Sequence, residues 1–480
     1  MSLFVSLIQK VSLFQGTAFV LKNGIADAIK QKLMTEADLD TALNRTLHVR
    51  MRLGMFDSTA GSASQFRNYG KEYINSAASK LAAEEAAAQG AVLLRNENHA
   101  LPLKTTGVDA IAVVGPHAIT QRELLGDYYA DAFCPGNSTA SKQTDQCVPT
   151  VASSIAALLD ESVAVQVEPG VSMVGEANAT GISAAVAAVQ ASDVVILAVG
   201  YSNKDVEREG PGGDHNYTTL PAGQLVLADA VIAAAASKKS TVVMLLVNAG
   251  QIATDNLKAQ PDALIETFYP AFGAPALARQ ILGLENRWGR LPYTMYESGF
   301  AEAIELSDMN VSGDVGRTWR YYNGKPNYAF GDGQSYSFFS LACTGSPNPS
   351  TPTAGQNFSV SVNCKSAIKS GMAIGDEILL VKHRVGADVI ASIGEQHPVP
   401  KGTLREFNRL SLQQHAAAGE SAFTLGPESF ALTDNAGQSV LYPGTHYIEV
   451  SPRAPGAAWT MTITVGGTKA VLATPPPLPR

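Results

Sequence analysis

The feature that most limits what this chain can fold into lies between residues 91 and 296, where short apolar runs alternate with helical stretches. Strand candidates at 91–94, 110–114, 163–167, 194–199, 241–247 and 263–268 are near-continuous in Val, Ile, Leu and Ala. A strand that is apolar at every position must be covered on both faces, and the stretches at 151–159, 181–191, 223–236 and 274–282 have the pattern of covering helices. The expectation is a mostly parallel α/β sheet sandwiched between helices. Ligands of such sheets bind beyond the carboxyl ends of the strands, which directs attention to the loops after Val114 and Val199.

From about 340 to 465 the helical signal disappears. Alternating runs at 357–363, 377–382, 421–425 and 446–450, separated by turn residues, predict a small antiparallel β-sandwich. On the amino-terminal side, Leu39, Leu43, Leu47, Met51 and Met55 recur at four-residue spacing on one face of a predicted helix over 36–55, which Asp57 and Ser58 end. Only weakly patterned residues precede it, so this helix reads as the end of a larger unit. A second, Ala-rich helix is predicted over 74–89 and stops at Gly90. The Pro-rich residues 475–479 are expected to be disordered.

Of 480 residues, 35 are Lys or Arg and 43 Asp or Glu, a net charge of −8 with no basic stretch, which excludes nucleic acid and anionic membranes as main partners. No run approaches the roughly 20 apolar residues of a membrane span. The first 20 residues are apolar but interrupted by Gln9, Lys10 and Gln15, and give no clean leader. Four cysteines allow three pairings, of which the sequence-local one, Cys134 with Cys147 and Cys343 with Cys364, is the simplest; free buried thiols are the alternative. Sequons stand at Asn44, Asn137, Asn178, Asn216, Asn310 and Asn357. Together these point to an extracellular protein whose leader lies outside this chain.

The chemically loaded stretch is 205–214, where Asp205, Glu207, Glu209 and Asp214 surround Arg208 in a Gly/Pro-rich loop after a buried strand. Neighbouring carboxylates raise one another's pKa, as a general acid requires, although an acidic surface loop has the same composition. Nucleophile elbows, zinc-protease helices, Cys-x-x-Cys pairs and phosphate loops are all absent. Pro211 removes a backbone donor from the glycine run, which argues against phosphate. His117 follows a strand and is a candidate catalytic group, but a lone histidine is more often a loop or supporting residue; His215, next to Asp214, is read the same way.

Several segments together resemble the family 3 glycoside hydrolases, and within them the β-xylosidase-like branch. They are 92–103 (VLLRNENHALPL), 111–117 (IAVVGPH) with Leu125-Gly126-Asp127-Tyr128, 289–296 (GRLPYTMY), 316–321 (GRTWRY), 328–336 (YAFGDGQSY), and the weaker 404–407 and 442–444. The resemblance spans roughly residues 17–466. It implies an α/β sandwich domain over 71–300, a connector over 301–340, a fibronectin type III-like domain over 341–467 and a tail over 468–480. Residues 1–70 would be the helical remnant of a TIM barrel, with the rest of the barrel expected in a full-length chain.

The resemblance also assigns roles. The family's general acid/base is a Glu of the acidic loop, so Glu209 is the first choice and Glu207 the second. Two departures bear on that loop: about two extra residues between Glu209 and Asp214, and His215 in place of an Arg. Asp127 and Tyr128 fall where the family contacts substrate. The family's nucleophile is an Asp in an upstream Ser-Asp motif that this sequence lacks; Ser192-Asp193 and Ser307-Asp308 lie in the wrong segments. The implied activity is an exo-acting, retaining β-xylosidase on xylan- or arabinoxylan-derived oligosaccharides, needing no metal or other cofactor. A β-glucosidase of the same family and a non-catalytic carbohydrate-binding fragment are the alternatives.

Overall fold

The computed structural model describes residues 18–56, 69–70, 73, 76–126, 147–175, 178–202, 217–255, 257–305, 307–453 and 458–475. The chain divides into two compact units, Met1–Ser76 with Pro476–Arg480, and Ala77–Pro475.

In the first unit, α1 (Ala18–Lys30) is followed by α2 (Glu36–Arg52). Thr35 caps α2 by accepting from the Asp38 backbone N–H at 3.2 Å, while Asp38 accepts from the Thr35 N–H at 2.9 Å, a reciprocal box that fixes where the helix starts. The predicted apolar stripe is present, with Leu43, Leu47 and Met51 exposed, and no residue of α2 is buried. The helix stops at Arg52, earlier than predicted, because Gly54 takes a left-handed conformation (φ 66°). Asp57, Ser58 and the Pro-rich residues 476–479 lie outside the described residues.

The second unit opens with α3 (Ala77–Gly90) and then β1 (Val92–Asn96), β2 (Ala110–Val114), α4 (Val151–Ala156), β3 (Ala164–Glu168), α5 (Ala179–Gln190), β4 (Val194–Gly200), α6 (Ala222–Lys238), β5 (Thr241–Val247), β6 (Ala263–Glu266) and α7 (Ala274–Ile281). The six strands form one sheet in the order β1-β6-β5-β4-β2-β3. Every pair is parallel except β1 with β6. One face packs Val195, Leu197 and Val199 under α5 and α6, and the other packs Ile196, Val243 and Leu245 under α4 and α7. All seven residues of β4 are buried, as the unbroken apolar run required.

After the short α8 (Thr318–Tyr321) come β7 (Ser337–Asn348), β8 (Ser359–Gly371), β9 (Ile374–Val385), α9 (Ala387–Ile393), β10 (Thr403–Gln413), β11 (Gly419–Leu425), β12 (Leu432–Thr433), β13 (Ser439–Leu441), β14 (Gly444–Ser451), β15 (Trp459–Val465) and β16 (Ala470–Ala473). They form antiparallel sheets β10-β9-β14-β15, β11-β8-β7 and β12-β13-β16. Val360, Val362, Leu379, Val381, Phe423, Ile448 and Ile463 share one core. The mostly parallel α/β sheet and the following antiparallel β-sandwich are therefore as expected, with one correction. A helix, α9, interrupts the region where the helical signal disappears; seven residues holding only Val389 and Ile393 as buried positions are too short to print a period.

Cys343 and Cys364 sit directly opposite each other on β7 and β8 and are disulfide-bonded. Cys147 is also in a disulfide, and Cys134 lies outside the described residues. The seam between sheet and sandwich is held by three arginines that donate mainly to carbonyls. Arg453 reaches Gly289 O at 2.7 Å, Trp288 O at 2.7 Å and Gln334 O at 3.1 Å. Arg290 reaches Gly331 O at 2.6 Å and both Ile378 O and Ser451 O at 2.8 Å. Arg409 reaches Gln89 O and Asp376 Oδ2, each at 2.9 Å.

Candidate active site

At the carboxyl edge of the sheet, β2 is followed directly by Gly115 and β4 ends on Gly200, and neither position has room for a side chain. Gly115 (φ 103°) would place a Cβ 2.3 Å from Ala198 O, and Gly200 (φ 148°) would place one 1.9 Å from Val247 O. These turns let two loops leave side by side, one toward Asp127 and Tyr128, the other toward Glu207 and Glu209. All four of these residues lie outside the described residues, as do Asp205, Asp214 and His215.

The structure does show how the acidic loop is held at both ends. Gln224, from the Leu220-Pro221-Ala222-Gly223-Gln224 run that opens α6, is fully buried. Its Oε1 accepts from the Gly200 N–H at 2.8 Å, and its Nε2 donates to Gly200 O at 2.9 Å and Met173 O at 2.8 Å. The carboxamide thus replaces a missing strand neighbour at the last residue of β4. The Tyr201 hydroxyl donates to Thr219 O at 2.5 Å, and the Tyr201 N–H to Val247 O at 2.9 Å. The residues just before 203–216 are therefore joined to those just after, and the loop leaves from and returns to one closed base.

His117 braces the same point. Its Nε2 lies 2.8 Å from Tyr201 O and its Nδ1 3.0 Å from Thr120 Oγ1. A carbonyl only accepts, so Nε2 carries the proton and Nδ1 accepts from the Thr120 hydroxyl; the ring is neutral. Burial pushes its pKa down to about 4, against the opposing effect of the Tyr201 hydrogen bond. His117 is thus a support for the loop base, as its lone position implied.

A group that sequence reasoning missed lies farther along the edge. Glu266, the last residue of β6, is wholly buried. Its carboxyl accepts from Phe268 N at 3.2 Å, Asn248 Nδ2 at 3.3 Å and the Tyr293 hydroxyl at 3.4 Å. These long contacts do not offset desolvation, and burial pushes its pKa up to about 8. Asn248 Oδ1, also buried, has no hydrogen-bond partner among the described residues. The signal available was one acid closing an apolar run, which resembles an ordinary turn.

Among the described residues no cluster of His, Cys, Asp and Glu could hold a metal ion, and no helix is long and apolar enough to cross a membrane. Among the described residues this edge offers buried neutral side chains, His117, Gln224, Asn248 and Glu266. Residues 91–336 match the glycosyl hydrolase family 3 C-terminal domain. The chain belongs to glycoside hydrolase family 3.

Among curated relatives of this family 3 chain, beta-D-xylosidase 1 of Arabidopsis thaliana is 32% identical over 326 residues, 67% of this chain and 39% of that protein. A probable exo-1,4-beta-xylosidase of Aspergillus aculeatus is 27% identical over 456 residues, 88% of this chain and 52% of that protein. The chain thus spans about half the length, or less, of these relatives. Among solved structures, a family 3 exo-beta-xylosidase in complex with a xylobiose aziridine probe matches with TM-score 0.71 at 25% identity, covering 94% of this chain and 56% of that one. A beta-glucosidase from Listeria innocua in complex with glucose has the same TM-score of 0.71 at 24% identity, covering 95% and 58%, and speaks for the fold alone.

Proposed function

We propose that this chain carries the acid/base half of an exo-acting β-xylosidase that releases single sugars from xylan- or arabinoxylan-derived oligosaccharides with retention of configuration. The observation that carries the reading is the closed base formed by Gly200, Tyr201, Thr219 and Gln224, from which the acidic loop extends at the carboxyl edge. Glu209 is the first choice for the acid/base, with Glu207 second. Its carboxyl protonates the departing glycosidic oxygen, and the resulting carboxylate then deprotonates the water that attacks the glycosyl-enzyme intermediate. Retention needs a second carboxylate about 5–5.5 Å away as nucleophile. No Ser-Asp dipeptide precedes Val92 in this sequence, so the nucleophile would come from residues outside it. Asp127 and Tyr128, in the segment that follows β2 in the sequence, contact the sugar.

The names of the curated relatives favour xylose over glucose. The disulfides favour an oxidising, extracellular setting. The β-sandwich is read as a fibronectin type III-like domain over 341–467, following the α/β domain over 71–300 and the connector over 301–340.

The test is hydrolysis of aryl β-xylosides. The isolated 480-residue chain is expected to turn over no faster than its Glu209→Gln variant, and turnover that this variant abolishes would overturn the missing-nucleophile assignment. In a polypeptide extended upstream by a barrel of about 250 residues, Glu209→Gln should lower kcat by about 10²–10⁴. Added azide should restore cleavage of substrates with good leaving groups. An unchanged kcat there moves the role to Glu207 or removes it from this loop, and a higher kcat/KM on aryl glucosides selects the glucosidase alternative.

A further inference from the structure

Of the sequons in this sequence, four lie on described residues, and the fold treats them differently. Asn44 is in the middle of α2, where the hydroxyl of its Thr46 is spent on Ala42 O at 3.1 Å. Asn178 is the N-cap of α5: its Oδ1 accepts from the Gly181 N–H at 3.1 Å, and its Nδ2 lies so close over Gly181 that a Cβ there would sit 2.9 Å away. Asn357 is followed by Phe358, buried in the sandwich core, and by Ser359, the first residue of β8. In each of these sequons the asparagine is exposed, but the hydroxyl residue, Thr46, Thr180 or Ser359, lies inside a helix or strand.

Asn310 is different. It is exposed, and neither it nor Ser312 lies in a helix or strand. Its Oδ1 accepts from both the N–H of Ser312 at 3.1 Å and the Ser312 hydroxyl at 2.8 Å, while its own N–H donates to Asp308 Oδ1 at 2.8 Å. The carboxamide oxygen is thereby turned onto the sequon's own serine, and Nδ2 lies 3.5 Å from where a Cβ on Gly313 would stand. A second observation comes from its neighbours. Met309 is 85% exposed and Val311 46%, so two apolar side chains flank the asparagine in water. Met309 is the most exposed large apolar side chain among the described residues. Exposed apolar residues are common, and this pair is one that a group attached to Asn310 would cover.

We propose that Asn310 carries an N-linked oligosaccharide that lies over Met309 and Val311. The Cys343–Cys364 disulfide is independent support for passage through an oxidising secretory compartment, where such transfer occurs. The donor is an oligosaccharide linked to a lipid diphosphate. The Asn310 Nδ2–C1 bond forms as the C1–O bond to phosphate breaks, its electron pair leaves with the diphosphate, and the amide gives up one proton. The assignment does not depend on the catalytic reading of the acidic loop.

The full chain is secreted from a yeast host with intact N-glycosylation and digested with trypsin, which yields residues 291–317 as a peptide whose single sequon is Asn310. Treatment with peptide N-glycosidase F should convert this asparagine to aspartate. Asn310→Gln and Ser312→Ala should each reduce the intact mass by one oligosaccharide, and Ser312→Thr should keep it. Recovery of the peptide unmodified overturns the proposal, whether or not other sequons are occupied. In the folded protein, peroxide should oxidise Met309 several-fold more slowly before enzymatic deglycosylation than after it. Equal rates overturn the covering role.

Discussion

Two regions of the second unit bury ionisable groups in opposite ways. At the carboxyl edge of the sheet His117 and Glu266 are buried and neutral, the first pushed down to about 4 and the second up to about 8. At the seam between sheet and sandwich, Arg453 is buried and charged: burial lowers its guanidinium to about 9, still above neutrality, with Glu377 and Asp376 opposing the shift. A group that neutralises on burial avoids desolvation but makes stability depend on pH. A guanidinium that stays charged must be surrounded by acceptors, which fixes geometry and leaves stability independent of pH near neutrality. The edge is therefore adjustable by protons and the seam is not.

The largest effect should come from removing the charged centre. In Arg453→Met, Gly289 O, Trp288 O and Gln334 O lose their donor and buried Glu377 loses the neighbouring charge, while the hydrogen bond from the Arg453 backbone N–H to Glu377 remains. Breaking a buried charged group away from its partners costs about 3–5 kcal/mol, read as a drop in the urea midpoint that is at least as large at pH 8 as at pH 6, because burial raises the Glu377 carboxyl further once Arg453 no longer opposes it. An unchanged midpoint would break the contrast.

Next come the two neutral groups, with opposite signs. The folded pKa of His117 lies below its unfolded value, so between pH 6.5 and 4 the unfolded chain binds more protons and stability falls as pH falls. The folded pKa of Glu266 lies above its unfolded value, so between pH 4.5 and 8 the folded chain binds more protons and stability falls as pH rises. The shifts correspond to roughly 3 kcal/mol for His117 and roughly 5 kcal/mol for Glu266 across their windows. Glu266→Gln should flatten the alkaline slope and keep the acid one, and His117→Asn should do the reverse. Thermal midpoints measured from pH 4 to 8 decide this, and a variant that lowers the whole curve in parallel would show a packing role alone.

A smaller effect is expected at the loop base. Gln224→Met keeps the side chain's length but leaves the Gly200 N–H and C=O without partners, which should cost about 2 kcal/mol. Amide exchange at Gly200 and Tyr201 should quicken while the β2–β3 pairing stays protected. Equal slowing or quickening across the whole sheet would mean that Gln224 supports the fold rather than the loop.

The sheet was legible because its strands are saturated with apolar residues. β2 and β5 begin and end where the Val/Ile/Leu runs do, and only the ends of β1, β3, β4 and β6 differ, by one or two residues. The sandwich was read less completely. β10 carries Arg405, Glu406, Asn408 and Arg409 at an edge of its sheet, and β7 is rich in Ser, Gly and Pro, so neither shows clean alternation. At the site, the loops after Val114 and Val199 could be picked out from sequence. The buried amide of Gln224 and the acid of Glu266 could not, because their roles come from partners on other strands.

The smallest effect is predicted for the kind of contact that a list of ion pairs would rank highly. Lys365 and Glu420 face each other across β8 and β11 at 2.7 Å, shorter than the 2.9 Å between Arg409 and Asp376. Both side chains are about two-thirds exposed, whereas Asp376 is 4% exposed. Water screens the first pair and both long side chains lose rotamer freedom to meet; neither holds for the preformed, partly buried second pair. Lys365→Gln should leave the urea midpoint unchanged within error, at low salt and high, while Arg409→Gln lowers it and loosens the seam. A comparable loss from Lys365→Gln would mean that distance rather than burial sets the worth of charge in this fold.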